Sequence, residues 1–289
     1  MVGPLFGGWF KKNVDPERLK GELSCAARLT PRLKRLLRHL RPEQVAEIIL
    51  TCWPKLCPGI QEDLKAWIKE EELVEEWLAL LKKGPSRVRA LAAEVLGITG
   101  QGRAVGPLLC ALADRDESVQ IAAAAGLSFL RDPRCLEPLA LALTEPRGRI
   151  PPARIAQVLT AFGEAGLPYL LPLLERSSEE AIIRIVEVLA CIGGPQVLPH
   201  LIGALKAPEA AVRTAAARAL GEAGFKEAGD KLLEALEDED PRVRSAAAYA
   251  LGRLGHLKAS PYLKRALEDP SWQVRISAEA ALKTLEAVR

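Results

Sequence analysis

Aromatic residues make up only 4% of this 289-residue chain, which also has just three histidines and one methionine. So thin an aromatic supply excludes a core built on large rings. Ala, Leu and Val must fill the interior, which is the composition of closely packed helices. His39, His200 and His256 are each followed by leucine and never by glutamate, too few and too scattered for a His-rich metal centre. A net charge of +3 excludes a polyelectrolyte that seeks nucleic acid through bulk charge. No run approaches ~20 uncharged apolar residues, so no helical membrane span is expected. The opening MVGPLFGGWFKKN is apolar but lacks the basic lead and cleavable core of a secretory leader. Six scattered cysteines then read as reduced thiols, and the expected compartment is the cytoplasm. Glycine-rich phosphate loops, G-x-S-x-G elbows and H-E-x-x-H helices are all missing.

Charge is uneven along the chain. Residues 1–41 carry ten Lys and Arg against three Asp and Glu, residues 42–85 carry five against nine, and residues 86–289 balance at 25 each. Only the N-terminal segment is basic.

What the chain has in abundance is repetition. Steps of 31 from Leu50 land on Leu81, Leu112, Leu143, Leu174, Leu205, Leu236 and Leu267. The same step from Val88 gives Val119, Ile150, Ala181, Val212, Val243 and Val274. A third apolar column runs Leu96, Leu127, Val158, Leu189, Leu220, Leu251 and Leu282. A fixed period in this range signals a solenoid whose units bury their faces only by stacking. Within one unit, Asp240 and Pro241 supply an N-cap and a first-turn proline. Val243, Ala247, Leu251 and Leu254 then mark one buried helical face. Gly255 ends that helix, and Leu263, Ala266 and Leu267 line a second one.

The segments VRALAAEVLGITG (88–100), VRTAAARALGEAG (212–224) and VRSAAAYALGRLG (243–255) follow the pattern V-R-x-x-A-A-x-A-L-G-x-x-G. That pattern resembles HEAT repeats of the short, phycobilisome-lyase-like class, over about residues 86–289. The resemblance implies an all-α, right-handed α-solenoid of about seven 31-residue helix pairs, with residues 1–85 as a basic segment and divergent helical cap. Two units depart from it. IPPARIAQVLTAFG has Pro151 and Pro152 where the pattern has Arg, and AIIRIVEVLACIG replaces alanines by Ile and Val. Helices there are expected to begin late or to pack differently.

Enzymes with HEAT-like repeats set specific requirements. Deoxyhypusine hydroxylase holds two irons with His-Glu pairs, and this chain has no His-Glu step. Alkylpurine glycosylases of this architecture need a basic concave face, whereas the repeats are charge-balanced. Arg89, Arg213, Arg244 and Arg275 are therefore expected to pair with acids of adjacent loops. Phycobilin lyase subunits share the repeat, and the repeat alone does not separate them from an adaptor. TCWPKLCPG offers two of the four ligands zinc requires and reads as two core-side thiols, Cys52 and Cys57, in a turn.

The expected function is non-enzymatic: a scaffold that binds another protein or peptide in a concave groove lined by second helices. No cofactor or metal is expected, and nucleic acid is not the expected partner. Positions five and two residues before each register leucine include Tyr169, Pro172, His200, Lys231, Glu234, Tyr262 and Arg265, the candidate groove residues. An alternative contact with an anionic surface uses Lys11, Lys12, Arg32, Lys34, Arg35, Arg38 and Arg41, with Leu5, Phe6, Trp9 and Phe10 as an apolar tip. A lyase-like enzyme subunit is the other alternative.

Overall fold

The computed structural model describes residues 15–145 and 149–287, and among them every regular element is a helix. The chain divides into two compact units, Met1–Cys135 and Leu136–Arg289.

The first unit contains α1 (Pro16–Cys25), α2 (Pro31–Arg38), α3 (Pro42–Cys52), α4 (Pro58–Glu70), α5 (Leu73–Lys83), α6 (Ser86–Ile98), α7 (Val105–Ala111) and α8 (Glu117–Leu130). Each of α1 to α4 opens on a proline, whose fixed φ suits a first turn where no N–H partner exists. The stretch DLKAWIKEEELVEEWLALLKK breaks into α4 and α5 at Glu72, which takes a left-handed φ of 55°. Both helices aim a tryptophan inward: Trp67 and Trp77 are fully buried, and the Trp77 indole donates to the Pro42 carbonyl at 2.9 Å. On and just after α2, Leu33 and Leu37 are buried, while Leu36 and Leu40 stay half-buried. Since α5 packs on α6, the helical cap and the first repeats share one unit.

The second unit contains α9 (Leu136–Thr144), α10 (Pro152–Phe162), α11 (Leu167–Leu170), α12 (Glu179–Ile192), α13 (Leu198–Ala204), α14 (Ala210–Glu222), α15 (Gly229–Ala235), α16 (Pro241–Leu254), α17 (Ser260–Ala266) and α18 (Trp272–Ala287). Successive first helices α10, α12, α14, α16 and α18 pack side by side, and α13, α15 and α17 each pack on the first helix that follows.

Helix starts keep the 31-residue step. First helices begin at 86, 117, 179, 210, 241 and 272, and second helices at 105, 136, 167, 198, 229 and 260. The exception is α10, which begins at Pro152, four residues late, with Pro151 at its N-cap. Pro151 has no backbone N–H to give and forces its predecessor out of helical geometry, so the late start expected from this pair is what forms. Among the described residues the seventh unit contributes its first helix alone.

Small residues set how closely the first helices approach. A Cβ on Gly97 would stand 2.2 Å from the Gly126 Cα, one on Gly221 would stand 2.6 Å from the Ala250 Cα, and one on Gly252 would stand 2.7 Å from the Ala281 Cα. All three positions belong to one register column, so the backbone contact recurs at the repeat period. Two inward expectations fail. Leu267, the last register leucine, is 39% exposed at the end of the last described second helix. Cys57 is exposed as the N-cap of α4, while Cys52 is buried.

Candidate functional site

Second helices are short, and their buried residues are spaced so that one side is left outward. On α17 only Leu263 is fully buried, which leaves Tyr262 and Arg265 on the solvent side. In the second unit, Tyr169, Pro172, His200, Glu234, Tyr262 and Arg265 are exposed and Lys231 is half-buried. All seven lie on or next to α11, α13, α15 and α17. Local contacts hold two of the pairs. Lys231 donates to Glu234 at 2.5 Å, and the Arg265 guanidinium lies 5.0 Å from the centre of the Tyr262 ring. Tyr262 is therefore presented as a flat face braced by a cation. Pro138 and Leu141 of α9 extend the column at its other end, with Leu141 50% exposed. The column runs from apolar to charged along the chain.

The in-register arginines do structural work. Arg89 grips Asp114 with Nε and Nη2 at 2.9 and 2.6 Å, Arg213 grips Asp238 at 2.8 and 2.9 Å, and Arg244 grips Asp269 at 2.8 and 2.9 Å. Each pair spans 25 residues, and each aspartate also accepts the amide two residues ahead, at Asp116, Asp240 and Ser271. The guanidinium holds the carboxyls of Asp114 and Asp269 below the usual range. For Asp238, burial pushes the carboxyl up, yet Arg213 and the Asp240 amide together keep it below the usual range. Arg242 beside Asp240 lowers that carboxyl to about 2. Bidentate pairs of this kind fix the loop ahead of each first helix.

Most of the basic N-terminal stretch meets acids supplied by its own unit. Arg32 reaches Glu22 at 3.3 Å, Lys34 reaches Glu70 at 3.3 Å, Arg38 donates to Glu71 at 2.6 Å, and Arg41 lies 3.4 Å from Glu43. Arg28 adds a bond to Asp63, which also caps the Leu29 amide. Among the described residues, Arg28, Lys34, Arg38 and Arg41 of the basic stretch thus meet carboxylates of the acidic stretch 42–85. Arg35 is exposed. Lys11 and Lys12, with Leu5, Phe6, Trp9 and Phe10, lie outside the described residues.

Sequence reasoning missed a second surface. Tyr249, Trp272 and Ile276 are 41%, 61% and 56% exposed and line a shallow depression of about 560 Å³ over α14, α16 and α18. A signal was available. The column Ser86, Glu117, Glu179, Ala210, Pro241 ends in Trp272, a large ring where the other units keep small or polar groups.

Burial raises the Cys135 thiol to about 11, so it is inert at neutral pH. No three His, Cys, Asp or Glu side chains gather as metal ligands among the described residues. No helix among them is long and apolar enough to cross a membrane.

Among solved structures, human deoxyhypusine hydroxylase in complex with glycerol is 20% identical, with a TM-score of 0.39 over 94% of this chain and 98% of that one. An engineered protein is 22% identical, with a TM-score of 0.37 over 74% of this chain and 96% of its own. The complex of CpcE and CpcF of phycocyanin lyase from Nostoc sp. PCC7120 is 18% identical, with a TM-score of 0.35 over 99% of this chain and 100% of that one. Likeness at this level carries no argument about fold or activity. No curated protein sequence matches the chain. The sequence model of HEAT repeats matches residues 74–159 and 198–283, well over half of the length. Those matches cover the segments in which the V-R-x-x-A-A pattern, the 31-residue helix starts and the glycine seam coincide, and the chain belongs to the HEAT-repeat family.

Proposed function

We propose that this protein is a non-enzymatic scaffold that docks another protein or a peptide on the outward side of its second helices. One observation carries the reading: Tyr169, Pro172, His200, Lys231, Glu234, Tyr262 and Arg265 recur at the repeat period and all stand on the solvent side. Tyr and Arg give large contact area at low entropic cost, and the repeats hold them pre-organised. The six free thiols fit a reducing compartment, consistent with the cytoplasm. The alternative through Arg32, Lys34, Arg38 and Arg41 is disfavoured by the carboxylates those groups already meet.

The test is retention from native host lysate on the immobilised full chain, at low and high salt. It compares the wild type with Tyr169→Ala/His200→Ala and Tyr262→Ala/Arg265→Ala. The expected result is a discrete protein held through high salt by the wild type and lost by both variants at unchanged helicity. Retention by both variants equal to wild type overturns the assignment.

A further inference from the structure

The arginine ladder has one rung without a carboxylate. Arg275 occupies on α18 the position that Arg213 and Arg244 occupy on α14 and α16, and it makes the same backbone bonds. Its Nη1 donates to the carbonyls of Asp269 and Pro270 at 2.7 and 3.0 Å, as Arg213 Nη1 does to Ala207 and Pro208 at 3.0 and 2.8 Å. The other edge of the guanidinium, which in Arg213 and Arg244 grips an aspartate, meets no carboxylate among the described residues. Asp269 senses the Arg275 charge but is already gripped by Arg244. Arg275 is exposed and held in the pose its counterparts use.

Its surroundings fit a macromolecular ligand. Trp272, Arg275, Ile276 and Glu279 recur at three and four residues and share one stripe of α18. Trp272 and Ile276, with Tyr249, line the 560 Å³ depression, which also carries Arg218 and Arg242 and no carboxylate. On α16 the matching stripe is covered by α18. On α18 the seam carries charge where every earlier first helix is uncharged: the column Gly97, Ser128, Leu159, Ala190, Gly221, Gly252 continues as Lys283, and the column Ala93, Ala124, Ile155, Val186, Ala217, Ala248 continues as Glu279, the two joined at 2.7 Å. At Gly252 the next helix comes so close that a Cβ would meet its backbone at 2.7 Å. The first two turns of α18 remain open to a carboxylate and bulky apolar groups.

We infer that this stripe of α18 binds an acidic loop leading into a helix on a partner protein. Arg275 takes the loop's aspartate through two N–H···O bonds, as Arg89, Arg213 and Arg244 take Asp114, Asp238 and Asp269 within the chain. Trp272, Ile276 and Tyr249 cover the apolar side chains that follow. This surface is separate from the second-helix column, and its test does not depend on that reading.

The probe is a helix-stapled, fluorescein-labelled peptide with the sequence of residues 238–254, which carries the carboxylate that Arg213 binds. Anisotropy is read against the full chain. The expected result is saturable binding, weakened tenfold or more by Arg275→Ala and equally by Asp238→Asn in the peptide, the effect of losing one charge-assisted pair. The two changes together weaken it no further, Arg275→Lys falls between, and Lys264→Ala on α17 leaves it unchanged. An unaltered thermal melt of Arg275→Ala shows that the fold persists. Absence of saturation up to about 1 mM, on the scale of the weakest specific contacts, overturns the inference. So does binding indifferent to Arg275 and Asp238, or displacement of the peptide by an oligonucleotide as readily as by unlabelled peptide.

Discussion

Arg213 and Asp238 show how much a single pair can hold in a protein of short helices. Their side chains are only 10% and 13% exposed, and the guanidinium also ties the carbonyls of Ala207 and Pro208. Removing one partner strands the other in a nearly closed site, a loss of about 3 kcal/mol. Arg213→Ala is therefore expected to lower the melting temperature by several degrees, whereas Arg218→Ala, from an exposed pair at 3.6 Å, leaves it within error. The ladder also sets the acid limit. Asp114, Asp238 and Asp269 have folded carboxyls below their unfolded values, so their contribution is complete above about pH 4 and is lost as pH falls through the depressed values. Melting temperature is expected to drop steeply between about pH 4 and pH 2, and Asp238→Asn is expected to show a shallower drop. Glu94 has the opposite sign. Burial raises its carboxyl, so its ionisation above the ordinary glutamate range destabilises the fold. Glu94→Gln should raise the melting temperature at about pH 7 and leave it unchanged near pH 3.

At the scale of the element, the seam between first helices is the constraint on sequence. Alanine is the better helix former by about 1 kcal/mol, yet Gly97→Ala would drive a Cβ to 2.2 Å from the Gly126 backbone. Backbone cannot yield as a flexible side chain can, and overpacking of about 1–3 kcal/mol or more outweighs the propensity gain. Thermal denaturation of Gly97→Ala is expected to show a net loss, while Gly106→Ala, whose new Cβ would meet nothing within 4 Å, shows none. Much of this was legible in the sequence. The leucine and valine columns, the Asp240 cap and the Gly255 stop at a φ of 65° all follow from residues whose local chemistry repeats every 31 positions. The late start of α10 was legible from Pro151 and Pro152. What could not be read was anything decided by a neighbour. The exposure of Leu267 depends on what packs against it, and that of Cys57 on the angle at which α4 leaves its turn. The meaning of Trp272 emerged only when Tyr249 and Ile276 were placed beside it.

For the whole molecule, repetition separates what holds the structure from what it displays. Identical columns at Leu96, Leu127, Leu189, Leu220 and Leu251, all fully buried, supply stability in equal increments between neighbours. The outward positions of the second helices are free to differ, and they do: proline and leucine at Pro138 and Leu141, tyrosine at Tyr169, then charge at Lys231, Glu234 and Arg265. Under the proposed function, such a graded strip would select partners by order of contacts rather than by net charge. Raising salt from about 50 to 500 mM, which shortens the Debye length severalfold, is expected to weaken partner binding only a few-fold, unlike a polyanion complex. The most direct measurement is a photo-crosslinking scan on the full chain in its native host, with a reactive side chain placed in turn at Tyr169, His200, Glu234 and Tyr262 and, for comparison, at Arg253 and Lys283 on the first helices. The account predicts adducts to one and the same protein from the four second-helix positions and none to that protein from the two controls. Adducts absent from the second helices, or shared equally by all six positions, would contradict it.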